Sequence, residues 1–127
     1  MKHEESKLQQ ACVKWFRYQY PSFARLLFAI PNGGARDKAT GSLLKAEGVV
    51  AGVPDLFLAR PSRSDSDLVI DCDNVFYCGL FIEMKAPGGK VTPRQAEMHK
   101  LLTAQGYEVA VCRTFDEFKE TIENYLA

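Results

Sequence analysis

The chain has 127 residues, of which 46% are hydrophobic, 25% charged and 11% aromatic, and its formal net charge is zero. That length bounds a single domain, expected over 1–127, with a sizeable core, and the balanced charge argues against a protein that coats nucleic acid nonspecifically. No apolar run approaches the ~20 residues of a membrane span, and the polar start MKHEESKLQQ lacks the apolar region of a secretory signal, so a cytoplasmic, bacterial- or phage-type intracellular protein is expected.

In chain order, EESKLQQACVKWFRYQY places Leu8, Ala11, Cys12, Trp15, Phe16 and Tyr20 at helical spacing, and Pro21 ends the helix. RLLFAI (25–30) is a short apolar run that reads as a buried strand entering the loop NGGARDKATG. SLLKAEG predicts a short helix with Ser42 as N-cap and Gly48 as its stop. A strand follows in DLFLA. Residues 61–78 open as a Ser/Asp/Arg loop, and LVI and VFYC then flank Asp71-Cys72-Asp73-Asn74 as a hairpin.

GLFIEMKA is the next strand. Thr92, Pro93 and Gln95 then have the positions of a capping box with proline at N1, opening a helix that stops at Gly106. YEVAVCR is a further strand, and Thr114 with Glu117 form a second capping box ahead of FDEFKETIENYL. The order predicts an α/β fold with a central mixed sheet flanked by helices, plus a hairpin insert. The four cysteines form no C-x-x-C pair and only two histidines are present, which argues against a zinc cluster and for reduced thiols; nothing in the sequence indicates a Cys72–Cys78 bridge.

Charge is unevenly placed. Residues 6–60 carry eight basic side chains against three acidic ones, and 64–78 carry four aspartates and no base. Such a division can guide a polyanion to one face, or reflect nothing more than uneven solvation.

The chemistry is concentrated in FIEMKAPGGK. On a strand, Glu83 and Lys85 project from one face and Met84 from the other. The apolar flank makes the strand central, where a charge is costly unless paired. Asp55 begins a strand just after Val53-Pro54, and if the two strands are neighbours the carboxyls of Asp55 and Glu83 meet. Converging carboxylates repel and raise the pKa of one unless a cation sits between them. Mg²⁺ suits a site of one or two carboxylates, a backbone carbonyl and waters. It polarises a phosphoryl oxygen and acidifies water, and Lys85 is placed to orient that water or to meet charge developing on the phosphate. This is equipment for cutting a phosphodiester.

Pro54-Asp55 followed by Glu83-x-Lys85 resembles the PD-(D/E)XK nuclease signature, and within that superfamily the chain resembles the VRR-NUC family. The matching pieces are Glu5-x-x-x-Gln9, PNGG (31–34), Lys45-Ala46-Glu47-Gly48, the run Gly48–Asp55, Glu83-Met84-Lys85 and Thr92-x-x-Gln95. They occur in family order along nearly the whole chain. The resemblance implies a restriction-endonuclease-like αβββαβ core. It implies Asp55, Glu83 and the Met84 carbonyl as metal ligands, with Glu5 completing the acidic shell directly or through water. Lys85 would be the catalytic lysine, and Gln95 would position Lys85 or the substrate. The expected activity is a Mg²⁺-dependent endonuclease, with Mn²⁺ able to substitute, acting on branched DNA such as Holliday junctions as a homodimer. Flaps, single strands or nicked duplex are alternative substrates, and a non-cleaving DNA-binding module of the same fold is the alternative class.

Single residues also admit plainer roles. Asp55 fits a turn after proline, Glu83 with Lys85 a solvated edge pair, Gln95 a capping residue, and Glu5 (or its neighbour Glu4) a first-turn acid favoured by the helix dipole. His99, one turn beyond Gln95, either approaches the phosphate or is a partly exposed helix histidine. Arg36 and Lys45 are the candidate DNA-backbone contacts, and Asn32 in its glycine loop offers a backbone approach to phosphate. Each has an ordinary surface or turn role as its alternative.

Overall fold

The structure is a computed structural model and describes residues 2–31, 38–63 and 75–127. Helix α1 (Lys2–Gln19) is followed by a 3₁₀ turn (Pro21–Leu26), β1 (Leu27–Ala29), α2 (Lys38–Ala46), β2 (Leu56–Leu58), β3 (Ser62–Arg63), β4 (Val75–Tyr77), β5 (Leu80–Met84), α3 (Pro93–Ala104), β6 (Glu108–Cys112) and α4 (Phe115–Leu126). The expected mixed α/β sandwich is present. Its sheet has the order β1-β2-β5-β6, antiparallel at the first two junctions and parallel at the third, where α3 makes the crossover.

The pleat divides the side chains between two faces. Leu27, Leu56, Leu58, Leu80, Ile82, Met84 and Cys112 point to one side and are buried against Cys12 and Phe16 of α1 and Phe118, Ile122 and Tyr125 of α4. The other side carries an aromatic ladder. Phe28 meets Phe57 at 5.8 Å between centroids, Phe57 meets Phe81 at 4.4 Å, and Tyr107 stands edge-on to both. Glu83 lies farther along this second face, where α3 covers it.

Several boundaries differ from expectation. Arg25 and Leu26 belong to the 3₁₀ turn rather than to β1. Pro21 starts this turn at the position where its missing N–H costs nothing, and Phe23 anchors it by packing on Tyr20 and beneath the Arg60 guanidinium, 4.1 Å from the ring centre. Helix α2 begins at Lys38, so Ser42 sits inside it and is no cap. Gly41 is accommodated there at about 1 kcal/mol relative to alanine. Gly48 does end the helical segment: its φ of 106° lets Val49 N–H reach back to the Leu44 carbonyl.

Thr92 and Gln95 form the full capping box. At α4 the exchange is only half made, because Glu117 accepts from the Arg113 N–H at 2.7 Å instead of from Thr114. The insert is a two-stranded ribbon in which β4 pairs with β3. The Tyr125 hydroxyl fastens its base by donating to the Arg60 carbonyl at 2.7 Å, and the Tyr125 ring stacks on Tyr77. The LVI segment and the Asp71–Asn74 turn lie outside the described residues. Cys12, Cys78 and Cys112 are free thiols.

At Gly79 an added Cβ would stand 2.7 Å from the Phe57 ring and 3.2 Å from the Leu58 carbonyl. That ring is held by Phe28, Phe81 and Tyr107, so it cannot simply swing aside. Gly79→Ala is expected to lower the urea midpoint by the equivalent of about 1–3 kcal/mol, with little change in the denaturant slope.

Candidate active site

The register of β2 on β5 creates the site. Leu56 pairs with Ile82, so one further step sets Asp55 opposite Glu83 on the face that α3 covers. The ordinary ladder gives way there: Asp55 Oδ2 accepts the Met84 N–H at 2.7 Å, while the Asp55 carbonyl accepts from Ile30 N–H at 2.8 Å. In an extended strand a residue's N–H and C=O leave on the same edge. The Met84 carbonyl therefore faces the Asp55 side. Lys85 N–H, on the opposite edge, donates to Cys112.

Glu83 is 1% exposed and is gripped from α3. Gln95 Nε2 donates to its Oε2 at 3.4 Å, and His99 Nε2 lies 3.2 Å from its Oε1. The same Gln95 side chain accepts from Thr92 N–H at 2.9 Å, so capping and contact with Glu83 are carried out together. Burial first, then the Asp55 carboxylate and the hydrogen bond shared with it, push the Glu83 carboxyl up to about 8; Lys85 offsets this only partly and the more distant Glu5 adds to it. Burial, helped by Lys85, lowers the His99 pKa. The His99–Glu83 contact is thus a hydrogen bond of a neutral imidazole rather than an ion pair at neutral pH. Lys85 is 9% exposed, and its ammonium has no hydrogen bond or ion pair with any described residue.

These groups open into a cleft of about 720 Å³, where Asp55, Glu83, Met84, Lys85, Gln95 and Glu5 meet. Glu5 projects from the first turn of α1. Among the described residues no three His, Cys, Asp or Glu side chains converge closely enough to hold a metal by themselves. The donor set that fits is two carboxylates and a backbone carbonyl completed by water, the environment Mg²⁺ tolerates because it dehydrates reluctantly. A divalent charge beside the pair would relieve the Asp55 repulsion that adds to burial in raising the Glu83 pKa.

The other sequence candidates are not gathered here. Lys45 is exposed on the last turn of α2 and is not among the described residues lining the cleft. Arg36 and Asn32 lie outside the described residues. Conversely, the site brings in His99, which the i, i+4 spacing from Gln95 already put on the same helix face. It also brings in Gln9, which the sequence offered through the Glu5-x-x-x-Gln9 motif, and Lys14 and Arg17 of α1, which it offered only as part of a basic stretch.

Pro54-Asp55 thus leads directly into β2, and Glu83-Met84-Lys85 closes its antiparallel neighbour β5. The chain belongs to the VRR-NUC domain family, whose model matches residues 3–116, and it is thereby a nuclease domain that acts on DNA. A solved structure described as a VRR_NUC domain protein has the same fold, with a TM-score of 0.75 at 24% identity over 96% of this chain and 87% of that one. No curated protein matches the chain. Among the described residues no helix is long and apolar enough to cross a membrane.

The Glu83 shift has a thermodynamic consequence. Between the ordinary carboxyl pKa of 4.5 and the folded value of about 8, the folded state keeps a proton that the unfolded state has released. Stability therefore falls as pH rises through that window. In EDTA, Glu83→Gln is expected to melt several degrees above wild type beyond pH 8 and to lose that advantage near pH 4.5, as read by parallel melting curves.

Proposed function

We propose that the chain is a divalent-metal-dependent endonuclease that hydrolyses phosphodiester bonds in branched DNA, four-way junctions first among them, and that it works as a homodimer. The observation that carries the reading is the meeting of the half-buried Asp55 carboxyl with the buried Glu83 carboxyl, beside a Lys85 ammonium that has no partner among the described residues. A pair so placed is costly as protein structure alone and suits a divalent cation facing a phosphate. Asp55, Glu83 and the Met84 carbonyl would hold Mg²⁺ or Mn²⁺, with Glu5 acting through water. When bound, the ion supplies Lewis-acid charge at the scissile phosphate and acidifies water.

The remaining chemistry belongs to the chain. Asp55 is oriented by the Met84 N–H, and Glu83 by Gln95 and His99, so the two carboxyls hold their geometry through the reaction. Each Glu83 oxygen has a further lone pair beyond the one α3 engages. Lys85 has its stem packed and its ammonium at the cleft, placed to orient the attacking water or to meet the charge that develops on the phosphate. Two copies related by a twofold axis present two such sites to the two strands a junction-cutting enzyme must nick.

The reading is tested with labelled four-way junctions, flaps, single strands and linear duplex in Mg²⁺, Mn²⁺ or EDTA. Wild type is expected to nick junctions symmetrically and to lose activity in EDTA. Lys85→Ala and Asp55→Ala are each expected to lose at least about a hundredfold in rate. Undiminished cutting by either variant would sink the mechanism. Preference for flaps or single strands would keep the site and change the substrate, and tight binding without cutting in either metal would make the chain a binding module.

A further inference from the structure

The cleft does not end at the carboxyl pair. It continues along α1 past Gln9, Gln10 and Val13 to Lys14 and Arg17, with the edge strand β1 and Phe28 on its opposite wall. At 1.5 Å per residue, Lys14 lies about 14 Å and Arg17 about 18 Å down the helix axis from Glu5. Nothing in the hydrolytic site uses this extension.

Its charge is unexplained by the fold. Lys14 and Arg17 are three residues apart, so they repel one another on the same side of the helix. No acidic residue occurs anywhere between 6 and 24, and neither side chain has an ion-pair partner among the described residues. Both are exposed, whereas the buried stripe of α1 is made by Cys12 and Phe16. Phe28 is 45% exposed although it lies on a strand. Phe28 borders the cleft from the sheet edge while its ring rests on the aromatic face beside Phe57. Two cations without described partners plus an open ring at the rim are the elements of a single-strand platform, where cations follow the phosphates and a ring stacks on a base. The whole cleft, carboxyl site included, has a volume of about 720 Å³, room for a short stretch of one strand.

We infer that the α1 cleft is the path of one DNA strand leading to or from the scissile phosphate, with Lys14 and Arg17 on its backbone and Phe28 beneath a base. The ligand's identity as DNA rests on the nuclease reading. The path itself rests on the cleft and its charges. It makes the local substrate a single-stranded or splayed segment, such as the arm of an opened junction or a flap.

The test measures binding apart from cutting. Fluorescence anisotropy of a labelled short oligothymidine and of a hairpin duplex is followed in EDTA over a range of salt concentrations. The proteins are wild type, Lys14→Gln/Arg17→Gln, Phe28→Leu and the charge-matched control Lys100→Gln/Lys119→Gln. The inference expects the single strand to bind more tightly than the duplex. The Lys14/Arg17 variant should weaken single-strand binding about tenfold and lower the slope of log K against log salt by about 1.4, which is 0.7 per phosphate contact. Phe28→Leu should weaken binding at least about fivefold and leave the slope unchanged. An unchanged slope in the Lys14/Arg17 variant, or an equal fall in the control, would overturn the path. A fall confined to the Lys14/Arg17 variant in a protein that cuts nothing would uphold the path and defeat the nuclease reading. Normal cutting with an unchanged slope would do the reverse.

Discussion

Asp55 and Glu83 are brought together because the β2–β5 register admits no other placement, and much of the molecule is arranged around the resulting repulsion. The register is enforced by apolar burial on the far side: a one-residue slip would move Leu56, Leu58, Leu80 and Ile82 out of the core. Packing energy on one face thus holds an electrostatically unfavourable contact on the other. The pair is then locked in detail. Met84 N–H holds one carboxyl, and α3 holds the other through Gln95 and His99. Lys85 supplies positive charge from the same face of the strand, though not enough to keep Glu83 ionised at neutral pH.

Helix α3 shows how an ordinary folding signal becomes part of a site. It contributes no buried residue to the core, so hydrophobic burial alone defines its position weakly. The capping box at its start compensates. Gln95 Oε1 takes the Thr92 N–H while Gln95 Nε2 turns to Glu83, and a fixed helix start thereby becomes a fixed donor. His99, one turn on, follows from the same anchoring. Capping and positioning looked like alternatives for Gln95 in the sequence. The two ends of its amide make them one arrangement.

Much of this was legible in the amino-acid order. The strand around Glu83 and Lys85 announced itself by placing charges within an apolar run, and the Thr92 and Gly106 signals bracketed α3 to within a residue or two. The meeting of Asp55 and Glu83 could only be stated conditionally, because strand neighbourhood is a tertiary fact. The failures were local ones. Ser42 is a good capping residue that went unused because α2 begins upstream of it, and Glu117 takes the N–H of Arg113 rather than that of Thr114. The arginine-leucine start of RLLFAI was drawn into a 3₁₀ turn by the packing of Phe23 on Tyr20 and Arg60, which no periodicity reveals. The cleft along α1 was hidden for a similar reason: Lys14 and Arg17 read as solvated helix charges until β1 stands opposite them.

The ribbon of β3 and β4 lies between the two strands that carry the carboxyls, yet its base is tied off by its own pairing and by the bond from Tyr125 to the Arg60 carbonyl. Chain inserted between these two short strands is therefore uncoupled from the β2–β5 register. The entropy of closing such a loop grows only logarithmically, and doubling its length costs about 0.6 kcal/mol. This makes the ribbon the natural place for descendants of this fold to gain or lose whole segments, acquiring new surfaces while the meeting of the two carboxyls stays untouched.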